Sequence, residues 1–83
     1  MPVDVKDRIA PRGKYRLIAS GVAGDGNSFT TGESVCGDYH SLEDAIAAMG
    51  PTEESRVTAD GLPVWSYTSY EVVDDTGGVV ARR

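Results

Sequence analysis

Apolar and polar positions follow two periods along this chain, one in the middle and another on either side. In the middle, Leu42, Ala45, Ile46 and Met49 fall at i, i+3, i+4 and i+7, one stripe of a helix. Ser41 stands where an N-cap belongs, and Asp44 where a capping box usually has Glu or Gln. Glu43 and Asp44 complement the dipole in the first turn. Gly50 is placed to take a left-handed cap, and Pro51 cannot continue the helix. The pattern predicts a helix of about nine residues, too short to hold in water without a surface to lie on.

The flanks alternate with period two. Residues 14–20 read as a strand, with Tyr15, Leu17 and Ala19 against Lys14, Arg16 and Ser20. Residues 21–27 read as a glycine-rich hairpin loop. A second strand is expected from about Ser28 to Tyr39, with Phe29, Thr31, Val35 and Tyr39 on one face and a bulge at Gly32 or Gly37. After the helix, Thr52-Glu53-Glu54 reads as an acidic loop and Arg56–Ala59 as a short strand. Asp60-Gly61 is a hairpin turn. Residues 64–73 are rich in strand formers, and their apolar face switches from Trp65 and Tyr67 to Tyr70 and Val72. That switch predicts a bulge or break near Thr68-Ser69. Asp74–Gly78 is a turn, and Val79–Ala81 a last strand.

The order is β-β-α-β-β-β. It predicts an α+β domain over residues 14–83: a small antiparallel sheet of four to five strands with one short helix on one face. Residues 1–13, broken by Pro2, Pro11 and Gly13, read as a flexible basic arm. One helix covers one face of a sheet. The other face must be polar or an interface, and Trp65, Tyr67 and Tyr70 are the residues that would mark the interface. The alternative is that the three rings fill a small core.

Charge changes this picture. Net charge is −5. Residues 1–16 carry Lys6, Arg8, Arg12, Lys14 and Arg16 against Asp4 and Asp7, a local +3. Residues 17–81 carry Arg56 against eleven carboxylates, a local −10, and Arg82 and Arg83 follow. An acidic body repels phosphate, so direct nucleic-acid binding by the folded part is not expected. The basic arm is left to an acidic partner, to solvent, or to the acidic body itself. No apolar run approaches the roughly 20 residues of a membrane span, and the N-terminus lacks the apolar core of a signal peptide. One cysteine allows no intramolecular disulfide. A reduced, cytoplasmic setting without membrane contact is expected.

Candidate chemistry is sparse. Gly21–Gly26 lacks the spacing, the lysine and the following helix of a phosphate loop. Asp25, Asn27 and Glu33 miss the offsets of a calcium loop. Cys36, Asp38 and His40 stand at i, i+2 and i+4, one side of a regular strand. A thiol, a carboxylate and an imidazole there would serve as nucleophile, base and orienting group, or as ligands of one metal ion. Same-face neighbours on a strand lie about 6.5–7 Å apart, too far for a tight Cys–His contact over two steps. No second His or Cys completes a zinc set.

The expectation is therefore a non-enzymatic protein-interaction module without cofactor, catalytic residue or metal, binding a protein partner or a second copy through a sheet face or edge. An alternative is an acidic inhibitor or nucleic-acid mimic that occupies a basic site on a partner. Small anti-defence proteins of phages are similar in size and acidity. A further alternative is a small enzyme or metal site at Cys36, Asp38 and His40. The Ser-Leu-Glu-Asp-Ala-Ile helix start and the Asp-Asp-x-Gly turn are local folding signals common in small bacterial domains, and they identify no activity.

Overall fold

The computed structural model describes residues 4–25 and 28–83. Among these residues, five antiparallel strands form one sheet with one short α-helix packed against it. The strands are β1 (Tyr15–Gly24), β2 (Phe29–Tyr39), β3 (Glu53–Val57), β4 (Pro63–Val73) and β5 (Val79–Arg82), and the helix is α1 (Leu42–Ala47). Their order is β2-β1-β4-β3, with β5 also paired to β4. β3 and β5 follow one another along the same edge of β4: β3 covers residues 63–67 and β5 residues 71–73.

That shared edge explains the pattern read in β4. No bulge interrupts its pairing with β1 from Trp65 to Val73. The face switch at Thr68-Ser69 instead marks where the neighbour changes. The Thr68 N–H donates to the Thr52 carbonyl, and the Tyr70 N–H to that of Arg83. Odd positions of β4 point to one face and even positions to the other. Tyr70 and Val72 lie under the helix, while Trp65 and Tyr67 lie on the opposite side.

Helix α1 packs on β1, β2 and β4. Leu17, Ala45, Met49 and Val72 form the centre of this core, ringed by Tyr15, Tyr39, Leu42, Tyr70 and Ala81. The Asp44 N–H donates to Ser41 Oγ at 3.1 Å, as the capping pattern requires. The helix is shorter than expected, six residues with Ala48 as C-cap. Gly50 does not adopt a left-handed cap, since among the described residues the positive-φ glycines are 13, 61 and 77. Its role is clearance: a Cβ at Gly50 would come within 2.9 Å of Tyr70 Oη. That hydroxyl donates to the Pro51 carbonyl at 3.4 Å.

Some strand limits also differ from expectation. Gly21–Gly24 belong to β1 rather than to a loop, because each has a partner on both sides. Glu53 and Glu54 lie in β3, which ends at Val57, because β4 offers them its free edge. In β2 a bulge falls at Cys36-Gly37, at one of the two glycines expected to carry it: Leu17 pairs with Gly37 and Ile18 with Val35. Phe29, Thr31 and Val35 therefore share a face, and Tyr39 is turned to the other, into the core.

The face opposite the helix is covered over half its length by residues 4–13, the segment read as an arm. Ile18 and Val73 point to this face and are each 1% exposed. Val5–Arg8 form a 3-10 turn. The Ala10 N–H donates to the Asp74 carbonyl at 3.0 Å, and Arg16 Nη1 donates to the Asp7 carbonyl at 3.0 Å. Arg8 reaches over β1 to Glu33 on β2 and Glu71 on β4, at 2.5 and 2.6 Å.

Helix and arm both sit over the same end of the sheet. A six-residue helix is roughly 9 Å long, and the molecule measures 47 Å along its principal axis. Its radius of gyration, 14.6 Å, exceeds the roughly 12 Å of a compact chain this size. The far half of the sheet is left open on both faces. It comprises β3, the first half of β4, the end of β1 and the start of β2.

Candidate functional site

Strand register assembles the side chains on the open half. Val22 pairs with Thr31 on one side and Tyr67 on the other, and Tyr67 pairs with Glu53. In the next row, Gly24 pairs with Phe29 and Trp65, and Trp65 with Ser55. All of these side chains lie on the helix-free face. Phe29 is 68% exposed and Tyr67 51%. Trp65 is half-buried, and a Cβ on Gly24 would come within 2.7 Å of Trp65 Cζ2. The indole therefore lies over Gly24, filling the space that a side chain would take. Its ring centroid is 5.6 Å from that of Tyr67, with the planes tilted by 49°. A shallow groove of about 390 Å³ runs beside Tyr67, with Ser20, Val22 and Ser69 among its lining residues. Ser69 Oγ donates to the Ser20 carbonyl at its floor.

The other face of the same half is plainer. Ala23, Ser66 and Val64 form a low floor beside Glu54 and Arg56, around an open hollow of about 650 Å³.

The expected interface residues thus separate. Trp65 and Tyr67 share the open face, and Tyr70 belongs to the core under the helix. Sequence reasoning missed Val22, Glu53 and the placement of Phe29 across Gly24 from Trp65. Period two puts each on a face of its own strand, but only the register between strands brings them into one patch.

Cys36, Asp38 and His40 do not share a regular strand face. Cys36 occupies the bulge, and His40 lies past the end of β2. Asp38 is engaged by Arg16: Nε at 2.7 Å and Nη2 at 3.1 Å form a two-pronged pair. Hydrogen bonding from Arg16 holds the Asp38 carboxyl below the usual carboxylate value, and Asp38 in turn raises Arg16. No group of three or more His, Cys, Asp or Glu among the described residues is placed to hold a metal ion. Of the calcium-loop residues considered, Asn27 lies outside the described residues. The Asp74 carboxyl, also held low, caps its own turn by accepting from Thr76 Oγ1 and from the N–H groups of Gly78 and Thr76.

Among the described residues no helix is long and apolar enough to cross a membrane. Comparison with protein-family models, curated proteins and solved structures finds no match to this chain.

Proposed function

We propose that this chain is a small non-enzymatic interaction module that binds protein through the helix-free face of its open half-sheet. The observation that carries this reading is the patch of Trp65, Tyr67, Phe29 and Val22, left uncovered where helix and arm both stop. Aromatic residues held on a rigid sheet supply contact area at low entropic cost, and Trp and Tyr dominate binding surfaces for that reason. Self-association is one version of this reading. The engagement of Asp38 by Arg16 supports contact rather than catalysis, since it withdraws the carboxylate that a thiol–imidazole site would use. A reduced, cytoplasmic setting goes with the single exposed thiol of Cys36.

A random peptide library panned against the protein tests the reading. The variant Phe29→Thr/Tyr67→Thr removes two exposed rings and keeps strand-forming residues. Peptides should be enriched on the native chain and lost on the variant. No enrichment, or equal enrichment on both, contradicts the proposal. A second reading, an acidic inhibitor that fills a basic site, is favoured by the carboxylates Glu53, Glu54 and Asp60 around the open half. Under it, binding follows the carboxylates and survives loss of the rings.

A further inference from the structure

The occupant of the open face can be named by its chemistry. This step rests on the reading above. Over the open half, residues 21–34 and 52–69 carry Asp25, Glu33, Glu53, Glu54 and Asp60 against Arg56, with Glu33 engaged by Arg8 of the arm. Arg56 pairs with Val64 and so points to the opposite face. Glu53 stands directly across from Tyr67 on the aromatic face. Directly opposed residues on an antiparallel pair hold their Cβ atoms about 5 Å apart, so the Glu53 carboxylate borders the Trp65–Tyr67 pair. Two aromatic rings beside a carboxylate attract a cation twice, through the ring faces and through charge. The same sheet face already holds a guanidinium next to the patch. Arg8 of the arm lies between Glu33 and Glu71, where the open patch begins.

A second copy of the chain is the poorer fit. Face-to-face pairing would set Glu53 and the acidic rim of one copy against those of the other. The area is also small. Four strands about 4.8 Å apart and about six residues at roughly 3.3 Å each outline some 400 Å². An outline of that size accommodates an extended peptide of about six residues.

We infer that the face binds a short segment of a partner protein bearing Lys or Arg beside apolar side chains. A cationic head sits against Trp65, Tyr67 and Glu53, and an apolar neighbour rests on Val22 and Phe29.

Two eight-residue peptides test this, one alternating arginine with leucine and the other glutamate with leucine. Trp65 is the one tryptophan of the chain, so its fluorescence reports on the patch. The arginine peptide should shift that emission with an affinity that falls severalfold from low to physiological salt. The glutamate peptide should not. Glu53→Lys should weaken the arginine peptide about tenfold or more, and Glu54→Lys, on the opposite face, severalfold less. Absence of binding by the arginine peptide, or equal binding of both peptides, overturns the inference. So does equal binding by Glu53→Lys. Light scattering separates the remaining case: a dimer that Phe29→Thr/Tyr67→Thr dissolves makes the occupant a second copy, which overturns this inference and leaves the interaction reading standing. Library peptides enriched on the native chain but free of Lys and Arg have the same consequence.

Discussion

Arg8→Ala is the perturbation that bears most on how this small domain covers its second face. Arg8 donates to Glu33 at 2.5 Å and to Glu71 at 2.6 Å, tying the arm to β2 and β4 at once. Hydrogen bonds between charged groups contribute about 1.5–3 kcal/mol each when shielded, and exposed ion pairs about 0–1. The three side chains here are about 30% exposed, so each contact belongs near the upper end of the exposed range. Glu71 keeps Arg82 nearby at 3.9 Å after the change, so Glu33 bears most of the loss. The expected destabilisation is about 1–2 kcal/mol. For a domain of this size each kcal/mol moves Tm by about 4–8 °C, so the midpoint should fall by roughly 5–15 °C. Amide exchange at Ala10, whose N–H is bonded to Asp74, should accelerate about tenfold as the arm lifts. Lys6→Ala, on an exposed residue of the same turn, is the control. In a Glu33→Gln/Glu71→Gln background, Arg8→Ala should cost much less, the non-additivity that a shared network requires. An unchanged midpoint together with unchanged exchange at Ala10 would refute the claim that Arg8 fastens the arm.

Other substitutions separate core from surface. Leu17→Ala, at a site 1% exposed, should cost about 2–5 kcal/mol in urea unfolding, whereas Val57→Ala, at 70%, should stay within about 0.5. Gly50→Ala should cost about 1 kcal/mol by crowding Tyr70 Oη, and Tyr70→Phe should restore part of it by removing the crowded atom; equal costs in both backgrounds would show that clearance is not the reason for the glycine. Asp38 is depressed in the folded state, so its contribution is complete above the unfolded value near 4 and is lost as pH falls through the lower folded value. Melts between pH 5 and 2.5 should therefore lose a smaller increment in Asp38→Asn than in the native chain.

Legibility in the sequence tracked locality. The helix was readable because its stripe and N-cap are encoded within a few residues, and Ser41 caps as its position implied. The helix C-terminus was misread because Gly50 answers to Tyr70, twenty residues away. Strand alternation identified β1, β2 and β4, but faces depend on register. The bulge at Cys36, which turns Tyr39 into the core and breaks up the Cys36–Asp38–His40 alignment, leaves no local mark beyond nearby glycines. Glu53-Glu54 looked like loop because nothing local pairs them; the free edge of β4 makes them strand. Trp65 and Tyr67 stood out by residue type as candidates for an exposed face. Their company, Val22, Phe29 and Glu53, comes from three other strands and is invisible without the sheet order.

The central claim is that contact is made on the helix-free face of the open half-sheet. Side-chain chemical-shift mapping with a library-selected peptide tests it most directly. The account predicts perturbations centred on Val22, Phe29, Glu53, Trp65, Tyr67 and Ser69, with α1 and the Ala23–Ser66 floor little affected. Perturbations centred on α1, or on Glu54 and Arg56 across the sheet, would contradict it.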